Sequence, residues 1–154
     1  MKSKSKTILY SGFLSGTLDI LAAIIIYTVI LHQTTAVKIL QSIASGIFKQ
    51  EAYTNGSQMA FYGLLLHYFI ALVFAYLYFK IYPYFPILRK SFLLSGLIYG
   101  LFVWIVMNLI VLPIVFPKLP SKQFDFPLLL SILILIFCVG LPITYITQKF
   151  YTRH

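Results

Sequence analysis

Four long stretches of this chain carry almost only apolar side chains, and the polar residues gather between them. The first runs from Thr7 or Ile8 to Leu31, about 24 residues, which as a helix covers roughly 36 Å. That is enough for a hydrocarbon core of about 30 Å with some tilt. The second runs from about Met59 to Tyr82, the third from Ser91 to Pro113 and the fourth from Phe126 to Gln148. The interiors of these last three hold no charge. The opening MKSKSK resembles the charged region of a signal peptide. The apolar run behind it is far longer than a signal core and shows no small-residue cleavage site, so it is expected to be retained. Four strands could not close a barrel in lipid, so the spans are read as helices. The predicted fold is an all-α, integral-membrane four-helix bundle forming a single domain over residues 1–154.

Between the first two spans lies a second kind of pattern. Val37, Ile39, Leu40, Ile43, Ala44, Ile47 and Phe48 alternate with Lys38, Gln41, Ser42, Ser45 and Lys49 at helical spacing, with Thr35 available as a cap. This predicts an amphipathic helix over about 36–49. It is too short to cross a bilayer and is expected to lie in the extracytoplasmic interface or over the bundle mouth. In the second arrangement Gln41 and Ser45 form a lid. Asn55 to Ser57 reads as a turn into span two.

Composition agrees with this pattern. Of 154 residues 60% are hydrophobic and 10% charged, against about 25% charged in a typical soluble protein. The net charge of +9 does not point to nucleic acid, because the basic residues sit in short clusters beside the apolar runs and not along one face. Such clusters set topology and attract anionic lipid headgroups. Lys2, Lys4, Lys6, Lys80, Arg89, Lys90, Lys149 and Arg153 fall on one side, and Lys38, Lys49, Lys118 and Lys122 on the other. The excess places both termini in the cytoplasm, in a bacterial inner membrane. Cys138 is the single cysteine, so no intrachain disulfide forms.

Asp19 is the most informative position. It lies about eleven residues into span one, roughly 16 Å deep, where a charged carboxylate costs about 2.5–3.5 kcal/mol on insertion scales. It is expected to face protein or water, either protonated or held by a donor. Gly12, Gly16, Asp19 and Ala23 share a face, so a stripe of small residues carries the acid. Span three has Gly96 and Gly100 at the same spacing, and the expectation is that spans one and three pack together through these glycines. Leu14-Ser15-Gly16 and Leu94-Ser95-Gly96 also suggest a repeated hairpin.

His67 in span two and Asn108 in span three lie within about one helical turn of the depth of Asp19. The three are predicted to form one polar cluster, with Gln41 or Ser45 reaching it from above. As a functional site the cluster titrates protons or binds a small-molecule or lipid ligand, the Asp–His pair sharing a proton and the amide orienting it. As structure it is interhelical hydrogen bonding worth roughly 0.6 kcal/mol per contact. One Asp and one His make a poor metal site, and no motif points to a cofactor or to catalytic residues. An intramembrane lipid-modifying enzyme is disfavoured because no nucleophile–base pair is visible. The expected partners are membrane lipids and further copies of the chain, since four helices are few to enclose a pore. Gly140 and Pro142 should kink span four or free a carbonyl.

GTLDILAA (Gly16 to Ala23), LQSIASG (Leu40 to Gly46), the His67-Tyr68 pair and YG…MN…VLP (Tyr99 to Pro113) resemble a group of small bacterial membrane proteins. The resemblance covers most of residues 10–115. It implies a four-span membrane protein and carries no activity with it. That group often has Gly where this chain has Lys49, a departure that bears on how closely the amphipathic helix can pack.

Overall fold

The computed structural model describes residues 3–117 and 125–152. Within them the chain is helical, and four helices are long and apolar enough to cross a membrane: α1 (Lys4–Ile30), α3 (Gly56–Tyr84), α4 (Phe92–Val115) and α5 (Phe126–Tyr151). A shorter helix, α2 (Ala36–Phe48), precedes α3, and one turn at Pro86–Lys90 leads into α4. Caps mark two of the starts. The Thr35 hydroxyl accepts from the Lys38 amide at 3.3 Å, and the Asp125 carboxylate accepts from the Leu128 amide at 2.9 Å. Each satisfies one of the orphan donors of a first turn.

Large apolar side chains cover the outside of the bundle, among them Leu9, Phe13, Leu21, Leu65, Phe69, Leu97, Leu129 and Phe137. In water so much exposed hydrocarbon would drive association. It fits a multi-pass membrane protein, whose surrounding solvent is itself apolar.

What joins the helices is smallness. α1 packs on α3 and α5, and α4 packs on α5, while α3 and α4 face each other across a wider seam. A side chain at Gly12 would meet Leu72, and one at Gly16 would meet Tyr68 and Ala71, all on α3. Gly96 lies against Leu141, and Gly100 against Leu135 and Ile136, on α5. The expected pairing of spans one and three is therefore corrected. Each glycine pair serves its own hairpin, α1 with α3 and α4 with α5, and α1 stands diagonally from α4. The physical reason is reciprocity: Gly140 on α5 presents no side chain to Gly96 and Gly100, so the two backbones approach closely there. α2 is docked the same way, since Gly63 of α3 lies directly under the Leu40 carbonyl. Lys49 does not prevent this close packing. It ends α2 at φ 53°, ψ −128°, a conformation that suits glycine and costs a side-chain-bearing residue about 1–3 kcal/mol.

Aromatic side chains fill the α3–α4 seam. Tyr78 and Tyr99 are buried with their ring centroids 4.6 Å apart. The Tyr78 hydroxyl bonds Ser95 Oγ at 2.6 Å, and the Tyr99 hydroxyl donates to the Phe74 carbonyl at 2.6 Å. Three stretches widen to π-helix: Ile25–Ile30, Val106–Val111 and Leu135–Gly140. The last two precede Pro113 and Pro142. A proline removes the donor to the carbonyl four residues back and its ring crowds that carbonyl, so the preceding turn opens. Span four thus answers Pro142 with a widened turn.

Gly140→Ala forces the α4 and α5 backbones apart and is expected to destabilise the protein by about 1–3 kcal/mol, as overpacking does. A Cβ at Gly46 meets only Val115, at an ordinary 3.6 Å, so Gly46→Ala is expected to be neutral or stabilising by up to about 1 kcal/mol. Thermal unfolding in detergent compares the two.

Candidate functional site

Asp19, His67 and Asn108 line one cavity of about 240 Å³ inside the bundle, together with Gly16, Ile43, Ile70, Phe74, Val103, Met107, Leu135 and Val139. Three different helices supply the three polar groups. Helix α1 brings Asp19 one turn beyond Gly16, α3 brings His67, and the widened turn of α4 brings Asn108. The opposite wall is the widened turn of α5, through Leu135 and Val139. Two of the three π-helical segments therefore border this space, and such bulges gather at functional sites.

The ring of His67 is fixed by its contacts. Its Nε2 lies 2.8 Å from the Gly16 carbonyl oxygen, and that oxygen can only accept, so Nε2 carries the hydrogen. Beside it, the Thr17 hydroxyl donates to Phe13 O at 2.8 Å, which leaves the Tyr68 hydroxyl as the donor in the 2.8 Å contact with Thr17. Together these two bonds clamp α1 to α3 at the cavity edge. Tyr68 and Thr17 belong to motifs quoted above, but the sequence assigns neither to the site. Nothing in their spacing marks them, beyond their adjacency to His67 and one intervening residue before Asp19.

The Asp19 carboxylate lies 3.9 Å from His67 Nε2, ion-pair range but too long for a hydrogen bond. Its side chain is 21% exposed and that of His67 12%. The two groups are adjacent without sharing a proton directly, because the Nε2 hydrogen goes to Gly16. Among the described residues no donor lies within hydrogen-bond distance of the acid. Asn108 Nδ2 donates back to the Trp104 carbonyl at 3.0 Å, and Trp104 Nε1 donates to Ser131 Oγ at 2.8 Å. The first bond ties Asn108 back to its own helix, and the second joins α4 to α5.

Gln41 and Ser45 do not reach the cluster. Gln41 Nε2 donates to the Gly56 carbonyl at 3.2 Å, tying α2 to the start of α3. Ser45 Oγ donates to Ser42 O at 2.7 Å and accepts from Tyr53 at 3.3 Å. Ile43, an apolar neighbour of both, is the α2 residue at the cavity. The face of α2 pressed on α3 carries Gln41, Ala44 and Ser45, which turns Ile43 and not the polar pair toward the cavity. No group of three His, Cys, Asp or Glu among the described residues could hold a metal ion.

What this arrangement offers chemically is a carboxyl group without a donor among the described residues, an imidazole with a fixed N–H, and an amide, in a space whose remaining walls are apolar. With the ring neutral, ¹⁵N NMR of labelled protein is expected to report His67 as the Nε2–H tautomer, and Gly16→Leu to abolish that signature by displacing the carbonyl. An Nδ1–H ring in the wild type would contradict the geometry.

No family model, no curated protein and no solved structure matches this chain.

Proposed function

We propose that this chain is a bacterial inner-membrane protein with both termini in the cytoplasm, and that it binds or moves protons, or a small or lipid-like molecule, at the Asp19–His67–Asn108 cavity. The orientation rests on the basic residues of the two tails and of the loop between α3 and α4. In this reading α2 is an amphipathic helix lying in the outer interface. Asp19 is the titrating group, His67 its electrostatic partner and Asn108 the amide that faces the ligand.

One observation carries the reading. Asp19 is an acid in the middle of an apolar span, turned into a cavity, with no hydrogen-bond donor among the described residues. Intramembrane acids are expensive and persist where they act on something. The alternative, a structural or accessory subunit with the polar groups as glue, is favoured by the His67–Gly16 and Tyr68–Thr17 bonds. Glue, however, works through hydrogen bonds, and Asp19 makes none with the described residues. That distinction separates the two roles by residue: His67 and Tyr68 hold helices, and Asp19 serves the cavity.

The test uses the intact protein in liposomes with an internal pH dye, alongside native mass spectra of the detergent-solubilised protein. The wild type is expected to dissipate an imposed pH gradient or to retain a small adduct. Asp19→Asn is expected to lose that property with stability within about 0.5 kcal/mol of wild type, the usual range for a side chain that makes no structural bond. A variant as active as the wild type, or a wild type with neither flux nor adduct, rejects the cavity as the functional centre.

A further inference from the structure

The seam between α3 and α4 opens, on the α2 side of the aromatic pair, into a groove of about 540 Å³, inside the roughly 300–1,000 Å³ range of ligand sites. Leu66 and Ile70 form one wall, Val111 and Val115 the other, and Ile43 and Ile47 of α2 the roof. These walls are apolar and belong to two helices that span the bilayer in the reading above, so the groove faces the acyl chains of one leaflet. An apolar void at that depth is filled by hydrocarbon, since water entering it finds no partners.

The roof end is chemically different. The Lys49 ammonium donates to the carbonyls of Gly46 at 3.4 Å and Val115 at 3.1 Å and lies over the Phe116 ring, 5.7 Å from its centroid. Gly46, Val115 and Phe116 all line the groove, so the cation sits on its rim. The hydroxyls of Ser42, Ser45 and Tyr53 line the same end. Lys49 is also held at the positive φ described above, a conformation a lysine adopts only where its contacts maintain it. The groove is therefore amphipathic along its length, with a cation and hydroxyls at the interface end and aliphatic side chains below.

We propose that this groove is a specific site for one anionic phospholipid, its acyl chain lying between α3 and α4 and its headgroup phosphate beside Lys49. Bulk lipid touches every outer face of the bundle. Two smaller grooves also carry lysines, Lys149 beside Leu14 and Ile146, and Lys80 beside Tyr76 and Phe79, but here the ammonium is fixed by two carbonyls as well as a ring at the end of an aliphatic slot. The site adjoins the Asp19–His67–Asn108 cavity, since Ile43, Ile70, Met107 and Leu112 line both. It takes no part of its recognition from Asp19, so it stands or falls separately from the cavity function.

Native mass spectrometry of the purified full chain, titrated with phosphatidylglycerol or with phosphatidylethanolamine of identical chains, tests the assignment. The wild type is expected to retain one phosphatidylglycerol with about a fivefold preference, the size expected of one lysine near the headgroups. Lys49→Gln keeps a donor at the rim and removes the charge, and is expected to bring the ratio to within twofold. Lys38→Gln, at an exposed lysine in the first turn of α2 away from the groove, is expected to leave it unchanged. Val115→Trp, which fills the half-buried mouth, is expected to lose both lipids while thermal unfolding still shows a cooperative fold. Asp19→Asn is expected to retain phosphatidylglycerol like the wild type, whatever happens to its flux. Equal retention of the two lipids by the wild type, or an undiminished preference in Lys49→Gln, overturns the proposal. Should Val115→Trp fail to fold, the Lys49→Gln ratio decides alone.

Discussion

Helices surrounded by hydrocarbon gain nothing by hiding leucines from one another, so their association rests on how closely two backbones can come. In this chain that closeness is set by glycine. Gly96 and Gly100 meet Gly140, Gly12 and Gly16 receive Leu72 and Tyr68, and Gly63 lies beneath the α2 backbone. Every other feature of the interior is arranged around these contacts. They zip each hairpin along itself, and they bring Gly16 O within reach of an imidazole on the neighbouring helix.

The two seams between the hairpins are unequal, and the cavity is a product of that inequality. α1 and α5 come together with small buried hydroxyl residues on their inner faces, among them Ser11, Ser15, Thr144 and Thr147. α3 and α4 meet through tyrosines, which hold the helices apart at one end of the seam and leave space beyond them. Proline-induced widening in α4 and α5 enlarges that space from two sides. A pocket that admits three polar side chains inside a small bundle thus arises from a mismatch in side-chain size, with no helix having to break.

Much of this was legible in the residues. Apolar run length located four long helices to within a few residues of their ends, since an unbroken apolar run of that length leaves a helix as the structure that satisfies its own backbone. Thr35 marked the start of α2, since a cap is a local hydrogen bond. Equal depth brought Asp19, His67 and Asn108 to one cavity, since rise per residue converts sequence position to depth. Which glycine stripe meets which helix was not legible. A GxxxG face states that something will approach closely, and its partner is chosen by surfaces remote in sequence, here Gly140. Gln41 and Ser45 failed to reach the cluster for a related reason. Helical periodicity gives the faces of α2 but not its rotation on α3, which the approach at Gly63 decides. Pro113 and Pro142 were visible as helix disruptors, while the answer to them, a widened turn in place of a bend, depends on neighbours that hold the helix straight.

The bond from His67 to Gly16 has a consequence for how the ring can behave. With one nitrogen committed to a main-chain oxygen, everything the imidazole exchanges with its surroundings passes through the other. Adding a proton there charges the ring and leaves the anchor untouched, so α1 and α3 keep their grip in either state. The contact that crosses the helix pair is thereby insulated from the chemistry of the very side chain that makes it.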